Sequence, residues 1–323
     1  MALDSNKWAE NKLLWSALAI FVLVVVLTVS LNGSKGLQWI LSGLVVGSIY
    51  SLIAMGFSVI YSSTRVINFA QGEFSMLGGM LMYTFATKAH VSIWLSFVLS
   101  VLAVALIGAA FEQTAIYKLR GSSVITVIIV TIGFSIFLKA IAKWIWGTDP
   151  VKIAPFTGEK AITIFKAAIV PQSFWVFGLT VLAVAALFLF FSRTLVGKGM
   201  RAAAANSDAA SLVGVSTNTT SLIAWTLAAG LGAAAGIIIG PITPPSFSSG
   251  LMLGLKGFSA AVLGGLGNIQ GAVVGGLMLG VLENIIAGVL PTGYKEAFAF
   301  LVLILVLLIR PQGLLGKPED VKV

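Results

Sequence analysis

Of 323 residues, 58% are hydrophobic and only 10% charged, against about a quarter charged in ordinary soluble domains. Several apolar runs reach the ~20 residues that cross a bilayer core, and the short alternating segments of an outer-membrane barrel are absent. The net charge of +9 fits loops that collect Lys and Arg on one side of a membrane; without basic clusters interleaved with aromatics, nucleic acid is excluded as a partner.

The composition therefore predicts an all-α, polytopic membrane bundle forming a single domain over 1–323. With no cysteine and one histidine, His90, thiol catalysis, disulfides, Cys-based metal sites and a His-Glu-x-x-His zinc site are excluded. No metal ligands are expected, and His90 reads as an interfacial loop residue.

The first apolar run, 13–31, exceeds the usual h-region of about 7–15 residues and lacks an A-x-A site, so it reads as a retained span rather than a cleaved signal. The others fall at about 37–60, 72–88, 91–113, 123–146, 174–192, 220–240, 251–266, 269–290 and 296–310, giving about ten spans. The eighth is short and reads as a re-entrant or broken element. With the N-terminus inside, inner segments hold eleven Lys and Arg against six outside, with Lys139, Lys143 and Lys256 left within spans and every arginine inside. That bias predicts two cytoplasmic termini.

Between the second and third spans lies "VINFAQGEFSMLGG" (66–79), where Asn68, Gln71 and Glu73 stand directly before an apolar run. One reading is a helix start, since a carboxylate in the first turn is favoured by the exposed amides and the dipole. The other is a gate or water-filled vestibule, since intramembrane ionisable groups are costly and face such cavities. Lys139 and Lys143, ahead of "WIWG", read as residues snorkelling to an interface beside Trp144 and Trp146.

Two loops are too long to be mere connectors. The outer one, 147–173, contains "FTGEKAITIFKAAIVPQ" and is read as carrying a short surface helix. The inner one, 193–219, has four consecutive alanines favouring helix. Asn206 or Ser207 then caps a second short helix, with Asp208 in its first turn and Gly214 just past its end. Two short helices with small side chains suit docking to another protein; the competing reading is a solvated connector.

Glycine is dense, 35 in all. Pairs four residues apart, such as Gly232 with Gly236, let helix backbones approach closely. The run 254–276 has enough breakers to predict a helix interrupted around Gly264, Gly265 and Gly267, of the kind that lines a transport pathway. Glu283, beside Asn284, reads as an interhelical hydrogen bond or an ion pair with Lys256, or as pathway lining. A P-loop is missing: "GKG" (197–199) and "GKP" (316–318) lack the following Ser or Thr.

Four stretches in succession, "INFAQGEFSMLGG", "GKGMRAAAANSDAASLVGV", "GLKGFSAAVLGGLGNIQGAVVGGLMLGVLE" and "RPQGLLG", resemble the LivH-type permease subunit of branched-chain amino acid ABC importers. The resemblance runs from about residue 37 to 317; close relatives in that family serve urea and amides. It implies a type II-like importer permease in the lipid of a bacterial inner membrane. Its implied partners are a LivM-like second permease, two cytoplasmic ATPases that bind the ATP and Mg, and an external solute-binding protein. This chain itself would carry no cofactor. The resemblance also implies that Gly199–Val215 fits a cleft on the ATPase, with Arg201, Asn206 and Gly214 matching the family pattern and Asp208 between them. The pathway is then expected along Asn68, Gln71 and Glu73 and the break at Gly264–Gly267. Competing expectations are a self-sufficient secondary transporter with Glu73 or Glu283 as proton carrier, the same importer carrying urea or a short amide, and a membrane scaffold or enzyme without a transport role.

Overall fold

The computed structural model describes residues 19–158, 160–164 and 166–316. In chain order the helices are α1 (described over Ala19–Asn32), α2 (Ser34–Thr64), α3 (Gln71–Tyr83), α4 (Ile93–Phe111), α5 (Val124–Trp146), α6 (Gln172–Arg193), α7 (Leu195–Ala205), α8 (Ser207–Leu212), α9 (Thr217–Ile239), α10 (Ser249–Gly264), α11 (Ile269–Val289) and α12 (Lys295–Ile309). Each of the ten expected spans coincides with a helix, although 13–18 of the first lie outside the described residues. Six helices, α2, α4, α5, α6, α9 and α11, are long and apolar enough to cross a membrane. The other four are shorter over the described residues.

α2 is the axis of the bundle, with 89% of its apolar window buried. It packs most extensively against α11, and glycine is the reason. A methyl group on Gly47 would lie 2.8 Å from the Gly276 carbonyl oxygen and from the Leu277 Cα, so the two backbones are already in contact. α9 repeats the device against α3: Gly236 faces the Ser75 carbonyl, and Gly78 faces the backbone of Ala233. Lipid tails are as apolar as leucine, so close backbone packing, not hydrophobic burial, must hold these helices together.

Two expectations are corrected. Among the described residues of the loop 147–173 there is no short helix; Ile162–Ile164 (β1) pairs antiparallel with Ala167–Ile169 (β2), Ile162 opposite Ile169. The Ile-Thr-Ile run is stiff at χ1 and favours extended backbone, and Lys166 turns the chain at φ 65. Gln38 of α2 holds this hairpin by exchanging bonds with Ala168, donating to its carbonyl at 2.9 Å and accepting from its amide at 2.6 Å. The glycine break at 264–267 is also no interruption within one helix. It is the turn of an antiparallel pair, α10 and α11, with Gly264 against Gly271 and Gly275 against Ala260. Gly265 and Gly267 reverse the chain at φ 108 and φ 82, where a side chain would be strained.

A Cβ at Gly47 has no room, and overpacking of this kind costs about 1–3 kcal/mol. Gly47→Ala is therefore expected to lower the thermal unfolding midpoint of the chain in mild detergent; an unchanged midpoint would contradict the packing account.

Candidate functional site

After α2 ends at Arg65, residues 66–70 turn back along it without helical structure. α3 therefore begins far from the end of the bundle. The Gln71 amide donates to the Ala228 carbonyl at 2.8 Å, halfway along α9. Glu73 accepts from Ser135, halfway along α5, at 3.1 Å. A Cβ on Gly56, nine residues before Arg65 (65 − 56), would collide with Gln71; at 1.5 Å per residue that is about 13 Å inward from the helix end. A second non-helical stretch, 240–248, enters from the other end, where Pro241, Pro244 and Pro245 forbid helix. It delivers the start of α10 to the same depth, Gly250 and Gly254 lying on Gly72. Two helix N-termini thus meet near mid-height.

All three polar residues of the 68–73 segment are buried, at 0%, 0% and 2% exposure for Asn68, Gln71 and Glu73. Asn68 Oδ1 accepts from the Ala70 amide at 2.9 Å and shapes the turn into α3. Each also keeps one atom without a hydrogen-bond partner: Asn68 Nδ2, Gln71 Oε1 and Glu73 Oε2. Against this segment lies a cleft of about 30 Å³ bordered by Phe57, Phe69, Phe258, Leu251 and Gly250.

The glycine turn lies elsewhere, at the Arg65 end. Gly267 packs on Tyr61, and the "RPQGLLG" segment straps the turn from outside. The Leu314 and Leu315 amides donate to the carbonyls of Leu263 and Gly264 at 2.8 and 2.9 Å. Asn268, the cap of α11, donates to the Leu315 carbonyl at 2.7 Å. Tyr61, Arg65, Leu266, Pro311 and Gln312 border a cleft of about 330 Å³ here. Sequence reasoning singled out both the turn and the strap but could not see that they form one unit, separate from Asn68–Glu73.

The short helices α7 and α8 occupy the same end. Thr194 caps α7 and Asn206 caps α8, each accepting from a backbone amide at 3.0 Å; Asp208 lies in the first turn of α8. Gly214, at φ 86, ends the pair. Met200 plugs α7 into the main core, Gly199 rests on Val215, and Arg65 donates to the Ala204 carbonyl at 3.3 Å. The outward face presents Arg201, Ala205, Asn206 and Ala209, all exposed.

Glu283 does pair with Lys256, at 2.6 Å. It also accepts from the Tyr50 hydroxyl at 2.8 Å and meets Lys295 at 3.4 Å, while Lys256 reaches Glu296 at 3.7 Å. One wholly buried carboxylate so ties α2, α10, α11 and α12 together. The sequence signal for Tyr50 and Lys295 was absent, since neither is close to Glu283 in the chain. Among the described residues no cluster of three or more His, Cys, Asp or Glu could hold a metal ion.

Long apolar helices packed on glycine, with charged and polar side chains sealed inside, define an integral membrane protein. Residues 39–307 match the family of the branched-chain amino acid transport system permease component, and the chain belongs to that family. It is 35% identical over 302 residues to the high-affinity branched-chain amino acid transport system permease protein LivH of Escherichia coli K12, covering 89% of this chain and 97% of that one. It is 34% identical over 311 residues to the corresponding permease protein BraD of Pseudomonas aeruginosa (89% and 98%). A probable branched-chain amino acid transport permease protein LivH of Methanocaldococcus jannaschii is 27% identical over 298 residues (87% and 93%). Among solved structures, PsaBC from Streptococcus pneumoniae in complex with Fab gives a TM-score of 0.46 at 10% identity, covering 88% of this chain and 94% of that one; a likeness so remote carries no argument.

Removing one member of a buried ion pair costs about 3–5 kcal/mol because the other is left uncompensated. Glu283→Gln is expected to destabilise the detergent-solubilised chain strongly, and adding Lys256→Met to recover part of the loss. Strictly additive effects in that double-mutant cycle would contradict the clamp.

Proposed function

We propose that this chain is one permease half of an ATP-driven, binding-protein-dependent importer of branched-chain and other neutral amino acids. The relatives named for branched-chain amino acid transport support that solute class. In this reading the four shorter helices complete a ten-span, type II-like topology in the bacterial inner membrane, both termini cytoplasmic, with the Arg65 end facing the cytoplasm. A second permease completes the pathway, an external binding protein delivers the solute, and two separate ATPase subunits bind ATP and Mg and hydrolyse the nucleotide.

The observation that carries the coupling is Arg65. It holds the Ala204 carbonyl of α7 and is also the last residue before the segment that returns to mid-height. An ATPase docked on Arg201, Asn206, Asp208 and Gly214 would therefore pull, through α7, on the stretch bearing Asn68, Gln71 and Glu73. Gly264, Gly265 and Gly267 then form the inner end of the pathway, as a turn strapped by residues 311–316 beside Tyr61. A pathway must release its solute, so a few polar atoms and no tight ligand set are what import requires.

Ala205 is exposed, and a bulky side chain there blocks docking without touching the bundle. In the assembled importer, Ala205→Trp is expected to cut ATP-driven leucine uptake by at least about tenfold, the equivalent of ~1.4 kcal/mol, with normal membrane insertion. Unchanged uptake would sink the coupling assignment.

A further inference from the structure

α5 is the least buried of the six long helices, with only 17% of its apolar window covered. Four polar side chains nevertheless run along it at four-residue spacing, Thr131, Ser135, Lys139 and Lys143, and such spacing places them on one stripe. Each meets one of the two re-entrant segments or the first turn of α3. Thr131 Oγ1 accepts from the Phe69 amide at 3.3 Å. Ser135 donates to Glu73 Oε1 at 3.1 Å. Lys139 and Lys143 lie over the Phe247 ring, 5.9 and 5.5 Å from its centroid.

Glu73 behind this stripe differs from Glu283. The structural carboxylate is saturated by Tyr50, Lys256 and Lys295. Glu73 has one hydroxyl on Oε1 and no donor on Oε2, which points at Gly250 in the first turn of α10. Burying a polar atom without a partner is costly, and inside a membrane such a group marks a place of function. Gly250 also borders the cleft of Phe57, Phe69 and Phe258, whose rings lie 5.6 and 5.9 Å apart about Phe258. A vacant carboxylate oxygen and an apolar aromatic cleft thus share one wall. At about 30 Å³ the cleft has room for roughly one water, so it must widen to pass an aliphatic side chain.

We propose that the seam between α3 and α5 is the polar track of the pathway. As α5 parts from α3, Glu73 Oε2 receives the ammonium of a zwitterionic amino acid, Lys139 faces its carboxylate, and the Phe57–Phe69–Phe258 cleft takes its side chain. The assignment rests on the importer reading and adds to it the chemistry that each part of the solute meets.

The chain lacks cysteine, so Ser135→Cys places one thiol on the track. In proteoliposomes of the complete importer, its labelling during ATP turnover is followed by the mass of this chain. The probes are 2-aminoethyl and 2-sulfonatoethyl methanethiosulfonate, each normalised to its rate with a free thiol. The Glu73 carboxylate attracts the cationic reagent, which is expected to label at least about tenfold faster. Leucine should slow it, and adding Glu73→Gln should bring the preference close to unity. Ile136→Cys, exposed and off the stripe, should show no preference. A Ser135→Cys thiol that stays unlabelled during turnover overturns the proposal, as does a preference that survives Glu73→Gln. Absence of ATP-driven uptake by the unsubstituted complex would instead overturn the importer reading itself.

Discussion

Backbone amides and carbonyls inside a bilayer have no water to bond, so irregular chain at membrane depth survives only where protein surrounds it. Among the described residues two such stretches stand out, 66–70 and 240–248, and much of the packing encloses them. α2, α9 and α10 approach with glycine and alanine because anything larger would hold them apart from the segment. Gly56 and Gly232 make room for Gln71, and Gly72 makes room for α10. Asn68 bonds the Ala70 amide at the turn into α3, and Gln71 ties the start of that helix to the Ala228 carbonyl of α9. The density of small residues is thus the condition for starting two helices at mid-height.

Two of the buried glutamates, Glu283 and Glu73, show what that arrangement permits. Glu283 sits in a continuous helix, is fully partnered, and locks four helices. Glu73 sits in the first turn of a helix that starts inside the bundle, where the exposed amide ends of α3 and α10 favour negative charge. The Ser135 hydroxyl bonds Oε1 and leaves Oε2 open to a passing ligand, whereas Tyr50, Lys256 and Lys295 occupy both oxygens of Glu283. α5 beside it is the least buried of the six long helices and stands outside the glycine-packed centre.

Much of this was legible in the sequence, for local reasons. The apolar runs located ten of the twelve described helices, because length and hydropathy are local. The cap at Asn206 and the glycine stop at Gly214 were readable from residue type alone, and an ion pair of Glu283 with Lys256 was one of the readings left open. What was missed depends on contact across the chain. The depth at which α3 begins is set by Gly56 and Ala228, not by "VINFAQGEF". The turn at Gly264–Gly267 looked like a broken helix because sequence cannot distinguish a break from a reversal. The hairpin at 162–169 looked helical because its alanines outweighed a three-residue Ile-Thr-Ile signal. The stripe on α5 was seen only as two interfacial lysines, since Thr131 and Ser135 carry no meaning until Phe69 and Glu73 face them.

The central claim is that this chain works only as part of an ATP-driven assembly. Its most direct test is purification from the native membrane in mild detergent, with the co-eluting chains identified by mass. The account predicts a second permease and ATPase subunits in the same peak. A chain that elutes alone, or only with copies of itself, and moves solute in response to a proton gradient would contradict it.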